Sequence, residues 1–415
     1  MTTMPNATRV ALLAAAAVIH IGCSDATNPK PSPPAQITAL PRELTEDEVR
    51  VSNAANQFSF TLFQRLNAAQ PDENVFVSPL SISFALGMAM NGANSATLDQ
   101  MRTTLGFGAT ELAEINQGYR GLLELEGTLD PSTTFTIANS VWYRQGFPVH
   151  ASFLDEVREA FDASVNASPF DATTVTAVNQ WVSDKTNGKI PTVLQTIDDG
   201  LVMFLINAIY FKGSWRDQFD PKKTMPLPFT GKSGMQTVPT MMRAALSGKM
   251  RAAYLPDVTV GELSYGNSAF VMSIVVPNEP GAIDAFTASL DADRWNTLIG
   301  AMQERQDMVA LPKFTLSYER QLKDDLEAMG MVDPFDPGNA DFSRMTSAQL
   351  YLSFVKHKTF VDVNEEGTEA AAVTVVGGST TSMPPCLCVN RPFVFAIRER
   401  FSGTILFMGK MIRIP

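Results

Sequence analysis

The segment NEEGTEAAAVTVVGGSTTSMPP, Asn364–Pro385, ends only thirty residues before the end of the chain. Its first half contains small and β-prone residues, its second half is rich in glycine, serine and threonine, and apolar segments flank it on both sides. Side chains alternate between the two faces of a strand, so a strand that begins at Thr368 would place every second residue on one face. The residues of that face, none of them charged, are Thr368, Ala370, Ala372, Thr374 and Val376. The composition therefore indicates an accessible loop that can also be buried as a strand.

The overall composition is close to that of soluble globular proteins. Hydrophobic residues make up 45% and charged residues 18% of the 415 residues. The formal net charge is −11, and the chain contains no run of lysine and arginine that could follow a phosphate backbone. We therefore expect neither nucleic acid nor another polyanion as a partner.

Residues 1–22 are predicted to be a signal peptide. Arg9 precedes an apolar run, residues 10–19, which has the length of a signal-peptide core and is too short to span a bilayer. The next residues, His20-Ile21-Gly22-Cys23, resemble the bacterial lipoprotein box, in which a small residue precedes a lipidated cysteine, although His20 and Ile21 depart from it. The resemblance implies a lipid anchor at Cys23 in a bacterial cell envelope. Cleavage after Ala26 is the alternative and would give a secreted, extracellular protein.

A proline-rich tether and one folded domain follow. Residues 24–41 hold five prolines and little apolar periodicity, so we predict an extended tether over residues 23–44. From Thr45 the pattern becomes helical, with Thr45 as the N-cap and Glu48, three residues later, as its capping-box partner. No linker divides the chain after residue 45, and the mixture of helical and strand-like segments predicts one α+β domain, residues 45–415.

Within this domain the hydrophobic pattern predicts helices and long strands. Helices are expected around residues 79–90 and 95–105. Strands are expected at Thr134–Tyr143, Val202–Phe211, Phe270–Val276, Met308–Leu316, Leu350–Val363, Phe393–Arg398 and Ile405–Ile412.

Few residues of the sequence are candidates for a catalytic role. His150 lies in a loop, and His357 shares an apolar strand face with Val361, which favours a hydrogen-bonded core histidine over a catalytic base. The motifs of serine hydrolases, zinc proteases and cysteine-rich metal sites are missing from the sequence. We therefore expect no enzyme activity, no metal and no cofactor. A secreted hydrolase, the alternative from a different class, would have to use His150.

Three cysteines, Cys23, Cys386 and Cys388, do not suggest a disulfide framework. Cys386 and Cys388 alternate with Leu387 on a predicted strand, so their side chains should point to one face. A redox or metal pair would need further ligands nearby. We interpret the two cysteines as small strand residues.

Several blocks of the sequence resemble the serpin family. Asn364–Ala372 resembles the hinge of the serpin reactive loop, and NRPFVFAIRERFSGTILFMGKM resembles the closing strands of the family. Further similar blocks are NVFVSPLSISFALGMAMNGANSATLDQM, LINAIYFKGSWRDQF, LPKFTLSYERQLKDDLEAMGM and ADFSRM. Together these blocks extend over Val51 to Ile414 in the family's order.

The resemblance implies a serpin fold of the α+β class: mixed, mostly antiparallel sheets, surrounding helices, and a large central sheet that accepts the reactive loop. It also implies a suicide-substrate inhibitor of serine proteases, in which the protease cleaves the loop and the severed loop inserts before the acyl-enzyme is hydrolysed. The expected product is a covalent 1:1 complex of the target protease with a monomeric inhibitor. The alternative is a non-inhibitory serpin that acts as a binding or chaperone-like protein.

The resemblance also assigns roles within the loop, residues 364–385. The cleaved bond falls at Thr381–Ser382, with Thr380 as an alternative, and a small residue there suits elastase- or subtilisin-like targets. Glu365 is expected to pair with Lys313 at the base of the loop. The hinge consists of Glu365, Glu366, Gly367, Thr368, Glu369, Ala370, Ala371 and Ala372.

A polar cluster beneath the central strands is assigned to sheet opening. Ser78, Ser81, Asn207 and His357 fall where the family places this cluster, which would hold the strands together until they separate. Trp215 matches the family's tryptophan at the top of the sheet, where insertion begins. An ordinary core position is the alternative for this aromatic residue.

Overall fold

The structure, a computed structural model, describes residues 1–2, 34–279, 281–368 and 385–415. Residues 3–22 of the predicted signal peptide, the lipidation site Cys23, the hinge residues from Glu369 to Ala372 and the predicted bond Thr381–Ser382 therefore lie outside the described residues. The described residues from 34 onward form one compact unit.

Residues 34–44 belong to this compact unit, although the predicted tether, residues 23–44, includes them. Ile37, Leu40 and Leu44 pack against the hydrophobic core. The Ile37 N–H also donates a hydrogen bond of 2.9 Å to the carbonyl of Asn267. This part of the proline-rich segment is thus docked on the domain.

Nine α-helices occur in the described residues. The first begins where the sequence predicts it, because Thr45 Oγ1 accepts from the Glu48 N–H at 3.2 Å and the Glu48 carboxylate accepts from the Thr45 N–H at 2.7 Å. This capping box satisfies two donors that would otherwise be unpaired at the helix N-terminus. The bounds are Glu46–Ala69 (α1), Pro79–Gly92 (α2), Ser95–Thr104 (α3), Leu112–Glu126 (α4), Ala151–Phe161 (α5), Ala172–Lys185 (α6), Ile283–Ala288 (α7), Ala292–Ala301 (α8) and Lys323–Ala328 (α9).

The described strands form three sheets. Their bounds are Val75–Val77 (β1), Thr134–Arg144 (β2), Ser164–Ser168 (β3), Met203–Ser214 (β4), Met225–Gly231 (β5), Gly234–Arg243 (β6), Met250–Tyr254 (β7), Val258–Ser264 (β8), Phe270–Pro277 (β9), Gln303–Arg305 (β10), Met308–Pro312 (β11), Phe314–Gln321 (β12), Lys356–Val363 (β13), Gly367–Thr368 (β14), Cys386–Cys388 (β15), Phe393–Glu399 (β16) and Ile405–Met411 (β17). One sheet has the order β1-β17-β16-β9-β8-β7-β10, and a second has the order β15-β11-β6-β5.

The third sheet contains Gly367 and Thr368, which belong to the predicted loop. Its order is β12-β13-β14-β4-β2-β3, and its strand pairs are antiparallel except for β2 with β3. Along β13, buried and partly exposed residues alternate from Lys356 to Val363, so one face of this strand packs on the core. The two-residue strand β14 lies between β13 and β4.

Two predicted strands differ from the structure. The predicted strand Met308–Leu316 is divided into β11 and β12, which belong to different sheets; Pro312 ends β11 because it has no N–H to continue the ladder. The predicted strand Leu350–Val363 begins only at Lys356. Residues 350–355 border a cavity instead of a neighbouring strand.

Cys386 and Cys388 are joined by a disulfide, with their Cα atoms 5.2 Å apart. The interpretation of the two as simple small strand residues is therefore wrong. Alternate residues of a strand point to the same face, and this Cα separation lies within the range that a disulfide can bridge. The shared face is visible in the sequence, whereas the bond depends on the local backbone of β15.

None of the helices in the described ranges combines the length and the apolar character that crossing a membrane requires.

Candidate functional site

The loop segment enters the six-stranded sheet at strand β14. Thr368 is paired with Val363 of β13 on one side and with Gly213 of β4 on the other, and Gly367 is paired with Ser214. The first residues of the predicted loop are therefore already a strand of this sheet.

Gly367 makes the closest backbone approach in this pairing. A Cβ atom at this position would lie 2.0 Å from the carbonyl oxygen of Gly213 and 2.6 Å from the Cα of Ser214. Backbone atoms cannot yield as a flexible side chain can, so only glycine fits here without a shift of the strand.

Thr368 is enclosed by the core, with 4% of its surface exposed. Its hydroxyl lies 2.9 Å from the hydroxyl of Tyr265, and the two form a hydrogen bond. Burial raises the pKa of Tyr265 well above its usual range, so the phenol stays neutral. The environment accepts a small, uncharged residue with a hydroxyl.

Trp215 closes the end of the sheet next to β14. Its Nε1–H donates to the carbonyl of Asn364 at 2.8 Å, and its backbone N–H donates to the carbonyl of Glu366 at 2.6 Å. Its ring stacks on Tyr265 with 4.5 Å between the ring centroids. The tryptophan therefore contacts the base of the loop directly and also contributes to the core.

Glu365 anchors the base of the loop. Its carboxylate lies 2.8 Å from Lys313 Nζ, so the predicted pairing is confirmed. The carboxylate also accepts a hydrogen bond of 2.6 Å from Thr224 Oγ1, and the Glu365 carbonyl accepts from the Phe219 N–H at 2.9 Å. Glu366 is buried next to it. The four described hinge residues are thus buried or paired with neighbouring elements of the fold.

A gap continues along the same two strands beyond Thr368. A small space next to Thr368 is lined by residues 209–211 of β4 and residues 360–362 of β13. Further along lies a cavity of about 220 Å³, whose two long walls are residues 200–209 and 349–358. Ser81 of α2 also lines this larger cavity.

The predicted polar cluster lies around this cavity and connects its two walls. The Ser78 N–H donates to His357 Nε2 of β13 at 3.0 Å, and Ser78 Oγ accepts from the Ser81 N–H at 3.2 Å. Ser81 Oγ donates to Asn207 Oδ1 of β4, and Asn207 Nδ2 donates to Asn139 Oδ1 of β2 at 2.7 Å. One hydrogen-bonded chain thus links three strands through the N-terminus of α2.

His357 is a neutral core residue in this network. Burial lowers its pKa to about 3, and its Nε2 accepts a hydrogen bond, as only an uncharged ring can. The preference for a hydrogen-bonded core histidine is confirmed. The other candidate base, His150, lies before α5, with its Nδ1 3.3 Å from the carbonyl oxygen of Arg344.

Two residues of the site were missed by the sequence prediction. Asn139 is buried on β2 between Ala138 and Ser140, and a polar residue at a core-facing strand position could have indicated a network. Tyr265 follows β8 and meets Thr368 only through the fold, so no local pattern points to it.

Comparison with known proteins places this architecture in a family. A family model described as Serpin (serine protease inhibitor) matches residues 53–414. Leukocyte elastase inhibitor of Xenopus laevis is 34% identical over 375 residues, which cover 87% of this chain and 98% of that protein. Neuroserpin of Gallus gallus is 32% identical over 371 residues, which cover 86% of this chain and 90% of that protein.

Solved structures of serpins have the same fold as this chain. A thermophilic serpin, tengpin, in its native state has a TM-score of 0.79 and 29% identity, with 91% of this chain and 97% of that chain covered. Human thyroxine-binding globulin has a TM-score of 0.81 and 29% identity, with 89% and 99% covered. The predicted serpin fold is confirmed. The two curated relatives are animal proteins and do not support the prediction of a bacterial, exported lipoprotein, which stays a prediction. The chain belongs to the serpin family of serine protease inhibitors.

Proposed function

We propose that this chain is a suicide-substrate inhibitor of serine proteases, which traps its target by inserting the cleaved loop between β4 and β13. The observation that carries the proposal is the gap that continues from β14 along both strands. The sheet has accepted the first residues of the loop and has room for more.

The length of the gap supports this proposal. Strand β14 is antiparallel to both β4 and β13. Each following residue of the loop would therefore pair with the preceding residue of each strand. On this register Thr374 would come opposite Asn207 and His357. Thr381 would come opposite Gly200 and Leu350, which lie at the far end of the cavity walls. The space therefore matches the loop up to the proposed bond Thr381–Ser382.

The faces of the strands match as well. Thr368 points to the core, and residues 370, 372 and 374 would share its face because side chains alternate along a strand. The hydroxyl of Thr374 would then reach the polar cluster at Asn207 and His357. Insertion would also give residues 350–355, which are not a strand in the structure, a partner to pair with.

A protease assay tests the proposal. We expect elastase or subtilisin to form a complex with the protein that survives SDS, and mass spectrometry should find a released peptide that begins at Ser382. Separately, a protease that cuts the loop without being trapped should yield a cleaved protein with a much higher Tm than the intact one. Cleavage at the loop with no stable complex and an unchanged Tm would rule out the mechanism.

A non-inhibitory binding protein is the second candidate, because human thyroxine-binding globulin, named for binding and not for inhibition, has a very similar fold. This candidate predicts that proteases cut the loop without becoming trapped. The covalent complex therefore separates the two functions.

We also propose export through the signal peptide at residues 1–22, with either a lipid anchor at Cys23 or secretion. Mass spectrometry of the mature N-terminus tests this. A diacylated Cys23 supports the anchor, and an N-terminus after Ala26 supports secretion.

A further inference from the structure

Leu246 is an exposed residue in a strained backbone conformation. It lies between β6 and β7, 74% of its surface is exposed, and its φ is +68°. A left-handed conformation is uncommon for a bulky residue, and such outliers concentrate at functional positions. Neither the fold nor the proposed mechanism of loop insertion requires an apolar side chain here.

The turn around Leu246 is held firmly by hydrogen bonds. The Leu246 N–H donates to the carbonyl of Gln306 at 3.1 Å, and the Ser247 N–H donates to the carbonyl of Ala244 at 3.2 Å. The Lys249 N–H donates to the Asp217 carboxylate at 3.2 Å. The leucine side chain is thus displayed on an ordered turn, which reduces the entropy that a partner must remove on binding.

Three consecutive residues connect this turn to the loop. Gln306 holds Leu246, the Asp307 carboxylate accepts from the hydroxyl of Tyr254 at 3.0 Å, and the Met308 N–H donates to the carbonyl of Pro385 at 3.0 Å. Tyr254 is 40% exposed. Hydrogen-bonded neighbours lie about 5 Å apart and two residues span at most about 7 Å, so Leu246 lies within about 17 Å of Pro385.

We propose that Leu246 and Tyr254 form an exosite, a contact surface outside the cleaved bond, for the protease that attacks the loop. This inference rests on the proposed function. Pro385 is four residues after Thr381, so the surface faces the side of the protease that receives the residues after the bond. An interface of standard size covers about 800 Å² on each partner, a disc about 32 Å across, which is wide enough to include both the loop and a surface within about 17 Å of Pro385.

The surroundings indicate which kind of protease surface fits. Lys249 is paired with Glu304, and Arg305 is paired with Asp307, so the charges at the edge of the exosite balance one another. An exposed leucine and an exposed tyrosine then remain as the recognition elements, and tyrosine is enriched among residues that dominate interface energies. The complementary surface is an apolar rim on a serine protease, without a strong net charge.

Leu246→Asp tests the exosite, and Met235→Asp is its matched control. Met235 is 75% exposed and lies at the other end of β6, about 26 Å from Arg243 along the strand. With subtilisin and with elastase as probes, we expect Leu246→Asp to lower the second-order rate of complex formation about tenfold for at least one of them, because the interface would have to bury an unpaired carboxylate. Met235→Asp should leave both rates unchanged, and the fraction of inhibitor that ends as complex should stay the same in both variants.

Leu246→Gly separates recognition from stability. Glycine adopts a left-handed φ without strain, so this variant should have a Tm equal to or above that of the wild type while its association rate falls about fivefold. Equal rates for the Leu246 variants, Met235→Asp and the wild type would overturn the exosite.

The failure of the exosite can be told apart from the failure of the proposed function. If the wild-type chain is cleaved but traps no protease, the proposed inhibitory function is wrong. The effect of the exosite on protease recognition can then be measured in the same variants as kcat/KM for loop cleavage. A lowered kcat/KM in Leu246→Asp alone supports the exosite, and an unchanged value overturns it. A chain whose loop neither protease cleaves overturns both proposals.

Discussion

The gap between β4 and β13 is filled at one end and forms a cavity at the other. At the filled end, Gly367 and Thr368 pair with the strands on either side, and Trp215 donates hydrogen bonds to the carbonyls of Asn364 and Glu366 just before them. At the other end, the same two strands border a cavity of about 220 Å³. A strand that filled this space would bury the apolar residues of its walls and pair with the backbone on both sides, and both changes stabilise a fold.

On the proposed mechanism, this difference between the two ends is where the molecule would store free energy. The contacts at the filled end hold the start of the loop in place, and the cavity leaves apolar contacts and strand pairing unmade. The polar cluster links the cavity walls through α2, so the strands stay connected while the space between them remains. Four changes test this contrast between the two ends.

A charge at the filled end should have the largest effect. Thr368→Arg would bury an unpaired guanidinium beside Tyr265, which costs several kcal/mol, so the hinge should leave the sheet and insertion should stop. We expect no covalent complex with elastase or subtilisin on an SDS gel, and cleavage of the variant as a substrate. Thr368→Ser keeps the hydroxyl and should still trap protease; equal complex yields from the two variants would contradict this.

Acid should weaken the cavity end through His357. Its pKa is about 3 in the folded protein and 6.5 ordinarily, so the unfolded chain takes up the proton first as the pH falls. The stability that neutral His357 provides is complete above about pH 6.5 and declines toward pH 3, with a loss of about 3 kcal/mol at pH 4. Urea unfolding at pH 7 and pH 4 measures this loss.

His357→Gln is the control for that measurement, because its side-chain carbonyl can still accept from the Ser78 N–H. Other groups titrate equally in both proteins. We expect the glutamine variant to lose about 3 kcal/mol less between the two pH values. The same loss in both proteins would show that His357 does not carry the effect.

Gly367→Ala should destabilise the filled end by a smaller amount. The new Cβ would meet the Gly213 carbonyl, and overpacking of this kind costs about 2 kcal/mol. Gly300→Ala is the comparison, because no atom lies within 4 Å of a Cβ there and α8 favours alanine. Thermal unfolding should show a lower Tm only for Gly367→Ala; a similar Tm for both variants would mean that β14 can shift freely.

The smallest effect is expected at the anchor of the loop base. Lys313→Met removes the partner of the mostly buried Glu365 carboxylate and should cost at most about 1 kcal/mol, since Lys313 itself is partly solvated. Lys249→Met breaks an ion pair of similar length between two exposed side chains, and its free energy of unfolding should not change measurably. Urea unfolding of both variants measures the difference.

Much of the fold could be predicted because the relevant patterns are local. The cap of α1 at Thr45 and Glu48 needs only residues three positions apart, and the inward face of β13 needs only alternation. The resemblance of Asn364–Ala372 to a known hinge pointed to Gly367 and Thr368, which enter the sheet as β14. The predicted partners Ser78, Ser81, Asn207 and His357 do lie together.

Other features depend on residues that are distant in the chain. The late start of β13, the contact of Tyr265 with Thr368, and the cavity itself arise where strands about 150 residues apart meet, as Gly213 and Val363 do on either side of Thr368. Local periodicity specifies which residues can form a strand and which face is apolar. It cannot specify whether a neighbouring strand is present to pair with, because that depends on how the whole chain packs.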